Sequence, residues 1–186
     1  MPYGRLGPNF LFAYCRQSLY YHIMVEQSIY APWRSVFILG GKEKGCILCR
    51  LAKETKSTVD NLILYRTEKS YIVMNRYPYT GGHLLVVPKR HVGVLERLTE
   101  AESIELIRLT QLAVTVMKAR LRPNAFNLGM NLGRPAGAGI PGHLHMHIVP
   151  RWSGDSNFMS VVGDTRVHSI PMDKIYQSLA RGFAKV

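Results

Sequence analysis

Acids, cysteines and long apolar runs are scarce in this chain, and each scarcity removes a class of protein. Three cysteines among 186 residues cannot build a disulfide framework. The apolar stretches at 10–13 and 19–23 are interrupted by Arg16, Gln17 and Ser18. That falls short of the roughly 20 apolar residues a membrane span requires. No charged, apolar and small-residue order marks a secretory leader. The expectation is a reduced, cytoplasmic protein without a membrane partner. Twelve acids face 24 Lys plus Arg, a formal net charge of +12, which predicts attraction to phosphate-bearing molecules. The basic residues are dispersed and accompany no nucleic-acid recognition motif, so nucleic acid is an unexpected partner. No internal repeat and no Walker loop is present.

What is there suits one α+β domain. At 47% hydrophobic composition the chain has a substantial core. Residues 1–23 read as a disordered or mis-assigned leader ahead of a natural start at Met24, and 24–186 as a single domain. Runs at 62–66 and 71–75 are rich in Ile, Val and Tyr and predict a strand pair. A turn at 77–82 leads to a strand over 83–88. The long helix is predicted over 99–120: Thr99 and Glu102 have capping-box spacing, Ile104, Ile107, Leu112 and Val116 supply much of an apolar stripe, and Pro123 closes it. Strands over 127–131 and 143–149 flank a glycine-rich loop at 133–142, and a final helix is predicted over 172–183. The architecture expected is a mostly antiparallel sheet with one long packed helix and a C-terminal helix.

The run His143-Leu144-His145-Met146-His147 carries the strongest functional signal. Strand side chains alternate, so the three imidazoles share one face, with neighbouring rings roughly 6–7 Å apart. A core has little use for adjacent groups that each need a donor and an acceptor satisfied. Imidazole suits nucleophilic attack, proton transfer or metal binding near neutral pH. Separately, Cys46-Ile47-Leu48-Cys49 has zinc-knuckle spacing, with His91 and His143 available as further ligands; two buried thiols or a redox pair would show the same spacing. Cys15, inside the doubtful leader, is a poor ligand candidate.

Taken together, Asn75-Arg76, Gly82-His83, Asn127-x-Gly129-x-Asn131, the histidine run and Pro150-Arg151 resemble the histidine-triad nucleotide hydrolases and transferases over about 30–170. The segments 127–133 and 150–158 are most similar to the branch acting on diadenosine tetraphosphate, which includes phosphorylases and hydrolases. The resemblance implies that His145 attacks the α-phosphorus and holds a nucleotidyl intermediate, that His147 steadies the phosphate, and that His83 supports both. It implies a structural zinc on Cys46, Cys49, His91 and His143, no organic cofactor, and a homodimer. For the nucleotide it implies Asn75 at the ribose, Asn131 at ribose or phosphate, backbone N–H groups of Gly137, Ala138 and Gly139 near phosphate, and Trp152 stacking. Each has a plainer alternative: a turn asparagine, a strand-end cap, a connecting loop, a packed indole. Lys89, Arg90 and Arg151 lie near the proposed ligands, with surface solvation as their default. Two other functions stay open on the residues alone: a catalytic zinc held by all three histidines of the run, and a nucleotide-sensing or nucleic-acid-associated protein of low turnover. Phosphorolysis and hydrolysis are not separable here.

Overall fold

The computed structural model describes residues 45–155, 162 and 170–186. The leader expected over 1–23 and the start at Met24 lie outside them. Five strands form one antiparallel sheet in the order β1-β2-β3-β5-β4. In chain order the elements are α1 (Ile47–Lys53), β1 (Ile63–Arg66), β2 (Ser70–Met74), β3 (Leu84–Pro88), α2 (Glu100–Leu121), β4 (Ala125–Gly129), β5 (Met146–Arg151) and α3 (Met172–Phe183). The α+β class and the antiparallel sheet agree with the expectation. No helix among the described residues is long and apolar enough to cross a membrane.

Helix α2 begins where the capping box predicts. Thr99 Oγ1 accepts from the Glu102 N–H at 3.2 Å, and Glu102 Oε2 accepts from the Thr99 N–H at 2.8 Å. Arg90 adds a forked bond to the same carboxylate, at 2.8 and 2.7 Å. That guanidinium, with the Thr99 donors, holds Glu102 down to about 2 against the opposing effect of burial. The helix ends at Leu121, and Arg122 turns left-handed (φ 52) before Pro123.

The stripe expected on α2 holds at Leu112 and Val116 but fails at its first two residues. Ile104 and Ile107 stand 44% and 50% exposed, while Leu106, Leu109, Ala113, Val116 and Met117 are buried. Two polar residues on the inner face disguise it. Glu102 is satisfied by its cap and by Arg90, and Thr110 Oγ1 donates to the Leu106 carbonyl at 2.8 Å. Both are therefore tolerated inside at little cost.

One sheet face packs on α2 through Ile72, Met74, Leu84 and Ile148. Helix α3 lies on α2 and β1, tied by Tyr176 Oη donating to the Ile63 carbonyl and Arg120 Nε to the Ser178 carbonyl. Gly182 permits the close approach, since a Cβ there would lie 2.6 Å from Val116 Cγ1. The opposite face of β5 carries His147, Val149 and Arg151 by alternation.

Candidate active site

The histidine run is not all strand. β5 begins at Met146, three residues later than expected, and the chain approaches it through a bend at His143. Its cause is visible on both sides of the bend. The His143 N–H closes a turn on the Ile140 carbonyl, and the Leu144 N–H reaches the Val92 carbonyl at 2.7 Å instead of a sheet partner. His143 and His145 therefore serve different neighbourhoods.

His143 joins the cysteines. Its Nδ1 lies 3.3 Å from Cys46 Sγ and 3.4 Å from Cys49 Sγ, and His91 Nδ1 lies 3.2 Å from Cys49 Sγ. All the ligand atoms of Cys46, Cys49, His91 and His143 fall within 4.8 Å of one another. Cys46 caps α1 and Cys49 sits three residues on, so the helix puts both thiols on one side. The 92–144 backbone bond brings His91 beside His143, their rings edge to face at 5.2 Å. Glycine at 93 is required there, because a Cβ would meet the Pro141 carbonyl oxygen at 2.7 Å. His143 Nε2 donates to the Pro88 carbonyl at 2.8 Å, which leaves Nδ1 unprotonated and aimed at the thiols. Burial pushes His143 below the ordinary imidazole range, opposed by that bond. A neutral imidazole, its lone pair directed by a carbonyl, and two thiols in one small volume fit a tetrahedral zinc, which binds S and N donors at about 2.0–2.3 Å.

His83 and His147 form the second neighbourhood. Gly82 (φ 85) turns the chain into β3 and leaves His83 fully buried at the strand's start; a Cβ at 82 would strike Leu121 at 2.7 Å. Hydrogen bonding settles the protons in sequence. The Tyr77 N–H bonds Asn75 Oδ1 at 3.0 Å, so the Asn75 amide presents Nδ2 to His83 Nδ1 at 3.1 Å. The Tyr79 N–H donates to the same Nδ1 at 3.2 Å. His83 therefore carries its proton on Nε2 and donates to His147 Nδ1 at 2.9 Å. His147 then carries its proton on Nε2, a buried atom with no hydrogen-bond partner among the described residues. Burial, reinforced by His147 and His145, lowers His83 to about 3; burial and then His145 lower His147 to about 4. Both rings are neutral at pH 7.

His145 has the complementary arrangement. Its Nδ1 lies 2.9 Å from the His143 carbonyl, which can only accept, so Nδ1 carries a proton and Nε2 is the nitrogen where the neutral ring would keep its lone pair. The His145 and His147 rings are 4.8 Å apart at 70°, closer than even strand spacing gives. The His145 ring thus stands next to a His147 N–H that has no partner among the described residues. Neither His145 nor His147 belongs to the Cys/His group, so a zinc shared by His143, His145 and His147 is not the arrangement found.

A cleft of about 550 Å³ opens beside His147, bordered by Tyr79, Asn127, Gly129, Asn131, Val149 and Arg151, among others. Asn75 reaches the histidines, though both ends of its amide are spent on Tyr77 and His83. Asn131 lines the cleft and donates to the Gly137 carbonyl at 3.4 Å. In the glycine loop the Gly137 N–H is used on the Arg134 carbonyl and the Ala138 N–H on the Gly133 carbonyl, while a Cβ at Gly139 would meet open space. Trp152 stands apart from the histidines: alternation puts it across the sheet from His147, and its Nε1–H is 3.4 Å from the Leu121 carbonyl. Arg151 pairs with Asp155 at 2.5 and 2.9 Å and Arg90 with Glu102, so neither is an uncompensated charge. Sequence reasoning missed Tyr79. Its ring stacks on His83 (4.7 Å, 29°) and His147 (5.8 Å, 28°). Only its closeness to His83 in the chain pointed there.

A model of the HIT domain matches residues 56–154. The chain is 49% identical over 111 residues to a protein of Mycobacterium tuberculosis named AP-4-A phosphorylase, covering 60% of this chain and 57% of that one. It is 35% identical over 101 residues to a bis(5'-nucleosyl)-tetraphosphatase (asymmetrical) of Schizosaccharomyces pombe, covering 54% and 55%. The chain spans a little over half the length of these curated relatives. A solved structure of a Zn-bound histidine triad family protein from Mycobacterium smegmatis superposes with a TM-score of 0.62 at 22% identity, covering 76% of this chain and 94% of that one; the likeness is one of fold.

Proposed function

The chain belongs to the HIT domain family, whose model spans more than half of it, and from that premise we propose that it cleaves dinucleoside polyphosphates by passing a nucleotidyl group through His145. One observation carries this reading: the His145 and His147 rings stand 4.8 Å apart, with His145 Nδ1 held on the His143 carbonyl and His147 Nε2 without a hydrogen-bond partner among the described residues. His145 Nε2 forms a bond to the α-phosphorus as the bond from phosphorus to the leaving nucleotide's oxygen breaks. The His147 N–H bonds the phosphate oxygens, where charge accumulates, and the chain from Asn75 through His83 keeps that proton on Nε2. An acceptor oxygen then displaces His145 from phosphorus. Phosphate is the first acceptor to test, given the name of the relative at 49% identity.

Cys46, Cys49, His91 and His143 would hold a structural zinc, a closed four-ligand set whose role is to cross-link α1, the segment after β3 and the approach to β5. Because the His143 carbonyl also receives the His145 Nδ1–H, that cross-link steadies the nucleophile. Asn131, on the cleft, and Gly139, whose Cα faces open space, would supply nucleotide contacts, with Asn75 acting through His83. A homodimer belongs to the reading: Ile104 and Ile107 are exposed on α2, and β4 lies at the sheet's edge. So does a cytoplasmic location, which suits two free thiols held as metal ligands.

Product analysis of diadenosine tetraphosphate in phosphate buffer tests the function. ADP plus ATP is the expected result; AMP plus ATP makes water the acceptor and the protein a hydrolase. Absence of cleavage at micromolar enzyme overturns the reading.

A further inference from the structure

The cleft beside His147 has walls that the cleavage step itself does not use. His83 and His147 are 5.1 Å apart, and the Tyr79 ring centroid is 4.7 and 5.8 Å from theirs. Rings that close to each other must lie on the same side of Tyr79. Its other face is therefore uncovered, which accounts for the 51% exposure of an aromatic residue at a buried histidine pair. Across the cleft, Gly129 pairs with His147 in the β4–β5 ladder, and a Cβ built on Gly129 meets nothing within 4 Å. The floor there is bare backbone with open space above it. Val149 continues the same face of β5.

The chemistry of these walls selects a ring rather than a phosphate. Arg151, the one guanidinium at the rim among the described residues, is bidentate to Asp155 and also bonds Asn127 Oδ1 at 3.1 Å. It contributes little uncompensated charge. An uncovered aromatic face, a flat glycine floor and a valine suit a neutral heterocycle, and the amides of Asn127 and Asn131 stand at its edges. The direction is set by the attack: His145 is not among the residues bordering the cleft, and from His147 the cleft runs along β5 past Val149 to Arg151, the direction leading away from His145. In an in-line displacement the leaving oxygen departs opposite the attacking nitrogen.

Resting on the proposed reaction, we infer that this cleft is the subsite for the second nucleoside of the substrate, the one that leaves, with its base stacked on Tyr79 over Gly129. Tyr79 is then a specificity residue that tells a dinucleoside polyphosphate from a mononucleoside polyphosphate of the same phosphate chain.

The experiment compares kcat/KM for diadenosine tetraphosphate with that for adenosine 5'-tetraphosphate, which keeps the reacting α-phosphate but has no second base. The readout is the ratio of the two, which cancels any general loss of turnover. In Tyr79→Ala this ratio falls about ten-fold, in the range of base–aromatic stacking. Tyr79→Trp, which keeps an aromatic face, restores most of it. Gly129→Val, placed where a Cβ has room, lowers the ratio by obstructing the floor while its melting temperature stays near that of the parent. A ratio unmoved in both Tyr79→Ala and Gly129→Val, with the two substrates falling together, overturns the subsite and leaves the reaction standing. Cleavage of neither substrate by the unaltered protein overturns both.

Discussion

Lowering the pH from 7.5 to 5.0 should cost this protein stability through one buried pair. His83 and His147 are fully and almost fully buried, and they titrate near 3 and 4 in the folded chain against about 6.5 unfolded. Depressed histidines are neutral when folded, so the unfolded state binds more protons anywhere between those values. Stability therefore rises with pH, is complete above about 6.5 and declines as pH falls toward 4. At pH 5.0 the unfolded imidazole is about 1.5 units below its pKa while the folded one stays neutral. That amounts to roughly 2 kcal/mol for each histidine, or roughly 4 for the pair. Against the 5–15 kcal/mol of an ordinary domain this is a large fraction. Urea unfolding at the two pH values gives the loss, and the small proton uptake of unfolded carboxylates at pH 5.0, that of Glu102 included, is common to parent and variant. The decisive comparison is His147→Gln, whose amide oxygen still accepts from His83 Nε2–H but cannot titrate. The variant should lose about 2 kcal/mol less than the parent on acidification. Proton uptake by the cysteine and histidine cluster is common to both proteins and cancels. Parallel losses in the two would refute the neutral, proton-ordered pair on which the donor at His147 rests.

Three further outcomes follow from the same contacts. His145→Ala should abolish cleavage of diadenosine tetraphosphate, by at least about 10³-fold, yet bind one zinc per chain and melt near the parent temperature; persistent turnover would remove the covalent route. Cys46→Ser should lower both metal content, measured by atomic emission, and thermal stability, because metal binding free energy is coupled to folding; a full zinc complement with an unchanged melting temperature would exclude Cys46 as a ligand. Arg122→Gly should raise stability by up to about 1 kcal/mol in a denaturant titration, since Arg122 caps α2 in the left-handed region that glycine adopts without strain; a destabilised variant would show that the arginine side chain outweighs its backbone.

What was legible in the sequence depended on whether its signal was local. Thr99 and Glu102 announce the start of α2 because a capping box is closed within four residues, and α3 runs over the residues its own pattern marks. The inner face of α2 was legible from apolar spacing at Leu112 and Val116 but not over its first turns. Its phase depends on Arg90, 12 residues away, making Glu102 an interior residue, and on Thr110 satisfying itself within the helix. Ile104 and Ile107 were then left outside. The histidine run shows the same division. The motif resemblance implies a stacking role for Trp152, while its Nε1–H lies 3.4 Å from the Leu121 carbonyl at the end of α2. The start of β5 was misplaced because the bond from Leu144 to Val92 joins segments 52 residues apart, a distance no local pattern reports. Tyr79 is the extreme case. A turn aromatic carries no period, and its significance exists only once Gly82 has turned His83 into the core and the imidazole of His147 has come to lie 5.1 Å away. Tertiary neighbours thus decide which turn residue becomes a wall of the site, and Tyr79 is where a sequence reader has the least to go on and a substrate-ratio measurement has the most to say.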